Sequence, residues 1–259
     1  MRNISALLFT LIAGGFFILG FLFVKFVKRK KELSILATAM ALVVMLGMIF
    51  SDLIPEITSL ALEVSWTKGQ KMLFIGGLLI LGMVILKGFD LLIPHHHHDH
   101  HEHEKNHHEH NEHLYHIGFM TAFSLGLHNI LEGMSIYVIG CESITAGLLT
   151  AIAVGCHNLP LGIEVASSLD HVHSKKTVRL GLMLFLSLSS AVGASILFLI
   201  GSELSSIFML GLISVACGMI LYIAAFELLP EVMHYLKRRE IYYGIAIGIL
   251  LILIMNYIH

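Results

Sequence analysis

The sequence predicts an all-α membrane protein of eight transmembrane helices, arranged 3+2+3 with spans 1–3 and 6–8 as an inverted repeat. Three observations carry this. The 259 residues are 56% hydrophobic and only 13% charged, against about 25% charged in an ordinary globular domain. Eight apolar runs are each long enough for a hydrocarbon core about 30 Å thick, which takes roughly 20 residues at 1.5 Å rise apiece. The phrases SDLIPE at 51–56 and FELLPE at 226–231 repeat one pattern at the ends of the second and seventh runs.

The runs lie near 4–24, 33–54, 72–93, 115–139, 143–168, 178–200, 206–229 and 241–258. The first is too long for a leader peptide, and its positive cluster follows the apolar run instead of preceding it, so it reads as a span. Lys25, Lys28, Arg29, Lys30 and Lys31 follow the first span, Lys175, Lys176 and Arg179 the fifth, and Lys237, Arg238 and Arg239 the seventh. Only Arg2, Lys68 and Lys71 fall on the opposite side. Lys and Arg concentrate on the cytoplasmic face, which places both termini outside and the long loop 95–113 inside a multi-pass protein of the cell membrane. In that orientation the two echoed phrases lie on opposite faces of the bilayer, the trace an inverted repeat leaves.

Asp52 with Glu56, and Glu227 with Glu231, are each four residues apart and share a helix face. They either cap proline-terminated helices at the water interface or attract cations at an entrance and an exit. A net charge of −2 without a basic patch gives no sign of a nucleic-acid partner. Three cysteines, Cys141, Cys156 and Cys217, exclude a secreted disulfide framework.

The chemistry lies in the two central runs, which read SLGLHNILEGMSI at 124–136 and GCHNLPLGIEVA at 155–166. His128 and Glu132 are four apart and Asn129 and Glu132 three apart, so on a helix all three project to one side. An acidic side chain at mid-membrane costs at least about 2.5–3.5 kcal/mol, so it faces a cavity or a partner. His157 and Asn158 stand at a comparable depth in the fifth run. Pro160 lacks an N–H and leaves the carbonyl of Cys156 unbonded beside them. Glu164, two turns beyond His157, either joins the ligands or is solvated at the cytoplasmic interface. Imidazoles with a carboxylate and carboxamides suit a divalent transition metal. Zinc is the first expectation, with Fe2+, Mn2+ and Cd2+ as alternatives. The ion is read as cargo, and no cofactor is expected.

Residues 94–113, PHHHHDHHEHEKNHHEHNEH, cannot form an apolar core and read as a disordered stretch that binds several metal ions weakly. It serves either as a solvated linker or as a cytoplasmic receiver of ions.

At the paired phrases the chain resembles the ZIP (Zrt/Irt-like) metal transporters, in their bacterial-type branch. HNILEG at 128–133 matches the family's HNxxEG in the fourth span, and HNLPLG at 157–162 stands where bacterial members often read HNIPEG. The resemblance covers nearly the whole chain. It implies eight spans with outward termini, a histidine-rich cytoplasmic loop, and His128, Asn129, Glu132, His157 and Asn158 as metal ligands. It also implies a homodimer, since related proteins are often dimeric. One position departs from the pattern: Leu161 occupies the place of a glutamate that bridges two metal positions in binuclear members. The sixth span offers only Ser187, Ser189, Ser190 and Ser195 in place of an acid, so a second metal position is expected to be weak or absent.

These readings converge on a secondary transporter that carries zinc, or a similar divalent metal, into the cytoplasm through a site in spans 4 and 5, and not on an enzyme. Two alternatives stand beside it. A membrane-embedded zinc hydrolase would use metal-activated water with Glu132 as base, but no HExxH lies within the apolar runs. A metal exporter of the cation-diffusion type would have six spans. No phosphate-cradling GxxxxGK[ST] loop is present for a built-in ATPase.

Overall fold

A computed structural model describes residues 3–92, 102–171, 176–200 and 205–258. These residues form helices only: α1 Ile4–Phe26, α2 Lys30–Glu63, α3 Lys68–Leu92, α4 Glu102–Glu142, α5 Ile144–His171, α6 Lys176–Ile200, α7 Ser206–His234 and α8 Arg239–Ile258. Helices α1 to α7 each contain a stretch long and apolar enough to cross a membrane. The 20-residue α8 covers the eighth apolar run and packs along α2.

Two differences from the sequence reading have local causes. SDLIPE and FELLPE do not end their helices. Each falls on a widened π-helical turn, Ile49–Leu53 in α2 and Ile223–Leu228 in α7, after which the helix resumes to Glu63 or His234. Pro55 and Pro230 sit in the first turn of the resumed segments. There a missing N–H interrupts little, because the π turn has already displaced the regular bonding pattern. The second difference is at the histidine-rich stretch. Residues 102–113 are not a loop but the first turns of α4. Nothing between 102 and 117 is Gly or Pro, so the helix of the fourth span extends through a polar sequence without a breaker. Residues 93–101 lie outside the described residues.

The helices pack as two groups of four. In one, α1 lies along α5 and α6, and α4 along α5 and α6; in the other, α2 lies along α8 and α7, and α3 along α7. The groups meet chiefly where α2 crosses α5 and α7 crosses α4. Glycine marks the difference between contacts within a group and contacts between groups. A Cβ added at Gly14 would overlap the Ser187 backbone, at Gly133 that of Ser190, and at Gly193 that of Ile130, all within the first group. Gly218 against Leu79 and Gly244 against Leu36 do the same within the second. Among the described residues, every glycine that meets a neighbouring helix meets one of its own group. Each group is thereby close-packed backbone to backbone, the arrangement that stabilises helix association where lipid gives no hydrophobic drive.

Adjacent glycines of α1 test this. Gly14→Ala should lower stability by about 1–3 kcal/mol, because the Ser187 carbonyl cannot move aside. Gly15→Ala meets nothing within 4 Å and should leave stability unchanged or raise it by up to about 1 kcal/mol. Thermal unfolding of the two variants in detergent reads the difference; equal losses would contradict the packing.

Candidate metal centre

Helices α4 and α5 run antiparallel, joined by a one-residue turn at Ser143, so the midpoints of the two HN phrases face each other. The structure brings three of the expected ligands together. Glu132 Oε1 lies 3.1 Å from His128 Nε2 and 2.8 Å from His157 Nε2, and one ligand atom from each residue lies within 4.8 Å of the others. Both histidines are 3% exposed. Yet none of their ring nitrogens has a partner in hydrogen-bond geometry, and Glu132 Oε2 has none either. The oxygen therefore sits beside the imidazoles and off their N–H axes. Donor atoms around a tetrahedral zinc with bonds near 2.0–2.1 Å lie roughly 3.3 Å apart, close to the separations seen. Buried donors left without partners cost stability unless something else engages them, and a divalent cation held by two neutral imidazoles and a carboxylate would do so.

The other expected ligands are placed differently. Asn158, fully buried, turns its amide nitrogen to the Ala13 carbonyl of α1 at 3.2 Å and keeps Oδ1 unbonded. Asn129 is also fully buried, with both amide atoms unbonded. Glu164 is not part of the three-residue cluster: it is fully buried on α5, where its Oε1 accepts a 3.0 Å hydrogen bond from Ser168. It is not solvated at an interface either. Leu161 is completely buried, so an alkyl group fills its place beside His157.

A cavity of about 480 Å³ extends from the cluster toward the α4–α5 turn, where Ile139 and Thr150 line it. Asp52 and Glu56 line it too, contributed by α2 of the other group, and no Lys or Arg does. The acidic pair thus faces the same space as the histidines, which focuses a cation toward them. In the opposite direction along α4 and α5, Met120, Leu125, Leu161 and Leu169 are fully buried. Glu227 and Glu231 are buried on α7 and do not line this cavity. Sequence reasoning missed Ser135 and Thr150, both on the cavity wall. Helical spacing carried the signal: each lies two turns from a histidine, Ser135 after His128 and Thr150 before His157.

Isothermal titration of purified protein lacking residues 95–113 distinguishes the cluster from its neighbour. Glu132→Gln should weaken zinc binding by about ten- to hundredfold, whereas Glu164→Gln should stay within about twofold of the parent. Equal weakening by both would place Glu164 among the ligands.

The family described as ZIP Zinc transporter matches residues 93–256, which include both HN phrases, the α4–α5 pair and the second π turn. No curated protein matches the chain. The match covers well over half of the 259 residues, and the chain accordingly belongs to the ZIP zinc transporter family, multi-pass membrane proteins that move zinc and related divalent metals.

Proposed function

We propose that this protein is a secondary carrier that brings zinc, or a similar divalent transition metal, into the cytoplasm, with the ion held between α4 and α5. The convergence of His128, Glu132 and His157 around unbonded donor atoms carries the reading. Asn129 and the free Oδ1 of Asn158 would supply the remaining oxygen donors. Neutral imidazoles and carboxamides bind without thiolate closure, so the ion stays exchangeable, as transport requires.

Two features support alternating access. Each group of four helices is fixed internally by glycine contacts that do not occur between the groups, so relative movement of the groups strains fewer contacts than bending either one. The cavity runs from the cluster toward the α4–α5 turn, and Lys and Arg placement makes that side the outer one. Movement of α1, α4, α5 and α6 against α2, α3, α7 and α8 would close the Asp52–Glu56 side and expose the ion inward. The paired π turns at SDLIPE and FELLPE fit an inverted repeat of α1–α3 and α6–α8, with the symmetry-related acids as entrance and exit. The homodimer belongs to this proposal only through the resemblance.

Zinc uptake into proteoliposomes tests the site and the direction together. His128→Ala and Glu132→Ala should each lose nearly all saturable uptake while the protein still inserts; uptake within about twofold of the parent for both would sink the assignment. Removing residues 95–113 should leave most of the flux, because the described part of that stretch, 102–113, forms only the polar first turns of α4; loss of flux with normal insertion would make it part of the path.

With Leu161 filling the neighbouring space, metal analysis of protein lacking 95–113 should find one tightly held ion per protomer. Leu161→Glu should raise the content toward two. Two ions in the parent would show that other groups already build a second position.

A further inference from the structure

On the cytoplasmic side, away from the metal cluster, a small charged cluster joins the two helix groups. Lys30 opens α2, with three residues between it and the end of α1. Its Nζ lies 3.2 Å from Asp170 Oδ2, near the end of α5, and also donates to the Val24 carbonyl in the last turn of α1. Asp170 is held from its own group as well, since Arg179 of α6 pairs with its other oxygen. One ammonium thus connects the second group to two helices of the first, across the short connection where the chain passes between them. Asp170 keeps a cation at hand if Lys30 departs, so breaking the cross-group contact does not strand a partly buried carboxylate. The contact sits on the side of the cluster where Met120, Leu125, Leu161 and Leu169 are fully buried.

We propose that Lys30 and Asp170 form a latch that holds the inner side closed while the metal site faces outward, and that the latch must open before the ion is released to the cytoplasm. This rests on the alternation of the two helix groups proposed above. Lys30 is a positioning residue here, acting on the balance of the two states and not on the ion. Because the pair is partly exposed, with side chains 33% and 24% accessible, its contribution is modest. Removing it should enrich the inward-open state by about 1.5- to fivefold, the range of an exposed ion pair.

The test uses full-length protein in lipid nanodiscs, its three cysteines replaced and spin labels placed at Lys176→Cys on α6 and Lys237→Cys beyond α7. Pulsed electron resonance then measures the distance between the groups on the inner side. Two distance populations are expected in the parent. Lys30→Gln should raise the inward-open one about 1.5- to fivefold, Lys30→Arg should restore the parent ratio, and Lys31→Gln, one residue on and exposed, should leave it unchanged. Raising salt to 1 M, where the Debye length falls to about 3 Å, should produce the same enrichment in the unsubstituted Lys30 protein and no further change in Lys30→Gln. That measurement stands even where Lys30→Gln folds poorly. Two populations whose ratio responds neither to Lys30→Gln nor to salt would overturn the latch and leave alternation intact. A single distance under all conditions, with or without zinc, would overturn alternation and the latch with it.

Discussion

An acid and two imidazoles buried between apolar helices impose the constraint on which this architecture depends. No Lys or Arg lines the cavity that Glu132 faces, and a carboxylate without a fixed countercharge in a low-dielectric interior is costly. The structure answers by setting His128 and His157 on either side of one carboxylate oxygen, leaving a space whose electrostatics ask for a cation. The polar phrases of α4 and α5 must therefore face one another, which fixes the register of the two helices and the depth of the site.

Holding that register takes close packing from outside the site. Gly133, which follows Glu132, lets α4 press onto the backbone of Ser190, and Gly193 reciprocates against Ile130. Asn158, which follows His157, ties α5 to α1 through the Ala13 carbonyl. The residues after Glu132 and His157 thus anchor the helices that carry them. Stiffness is spent within the group, and the seam toward α2 and α7 is left with side-chain contacts. Along that seam lie the Asp52–Glu56 pair beside the cavity and the Lys30–Asp170 contact near the end of α5. Under the proposed movement, polar groups at the seam would exchange partners, whereas the glycine contacts cannot yield without a clash.

The π turns extend the same logic to α2 and α7. Each places an acid, Asp52 or Glu227, within the widened turn, immediately ahead of a proline. Widened turns recur at functional sites because they re-aim side chains without ending the helix. In α2 this turns Asp52 and Glu56 toward the cavity while the helix continues to Glu63.

Sequence alone determined the helical membrane class, the positions of the apolar runs and the identity of the polar residues within them, because lipid admits no other use of such segments and penalises stray polar groups. It also determined which side chains of one helix share a face, since that follows from 3.6 residues per turn: His128 with Glu132, and Asp52 with Glu56. Only the tertiary structure decided relations between helices. It joined His157 to Glu132, gave Asn158's amide to Ala13, withdrew Glu164 to Ser168 and carried the echoed phrases through π turns instead of helix ends. The cause is that spacing along one helix fixes direction about its own axis, while the partner a side chain meets depends on how closely the neighbouring backbone approaches. That approach is set by glycines dispersed over α1, α4, α5 and α6, whose contacts are far apart in the chain.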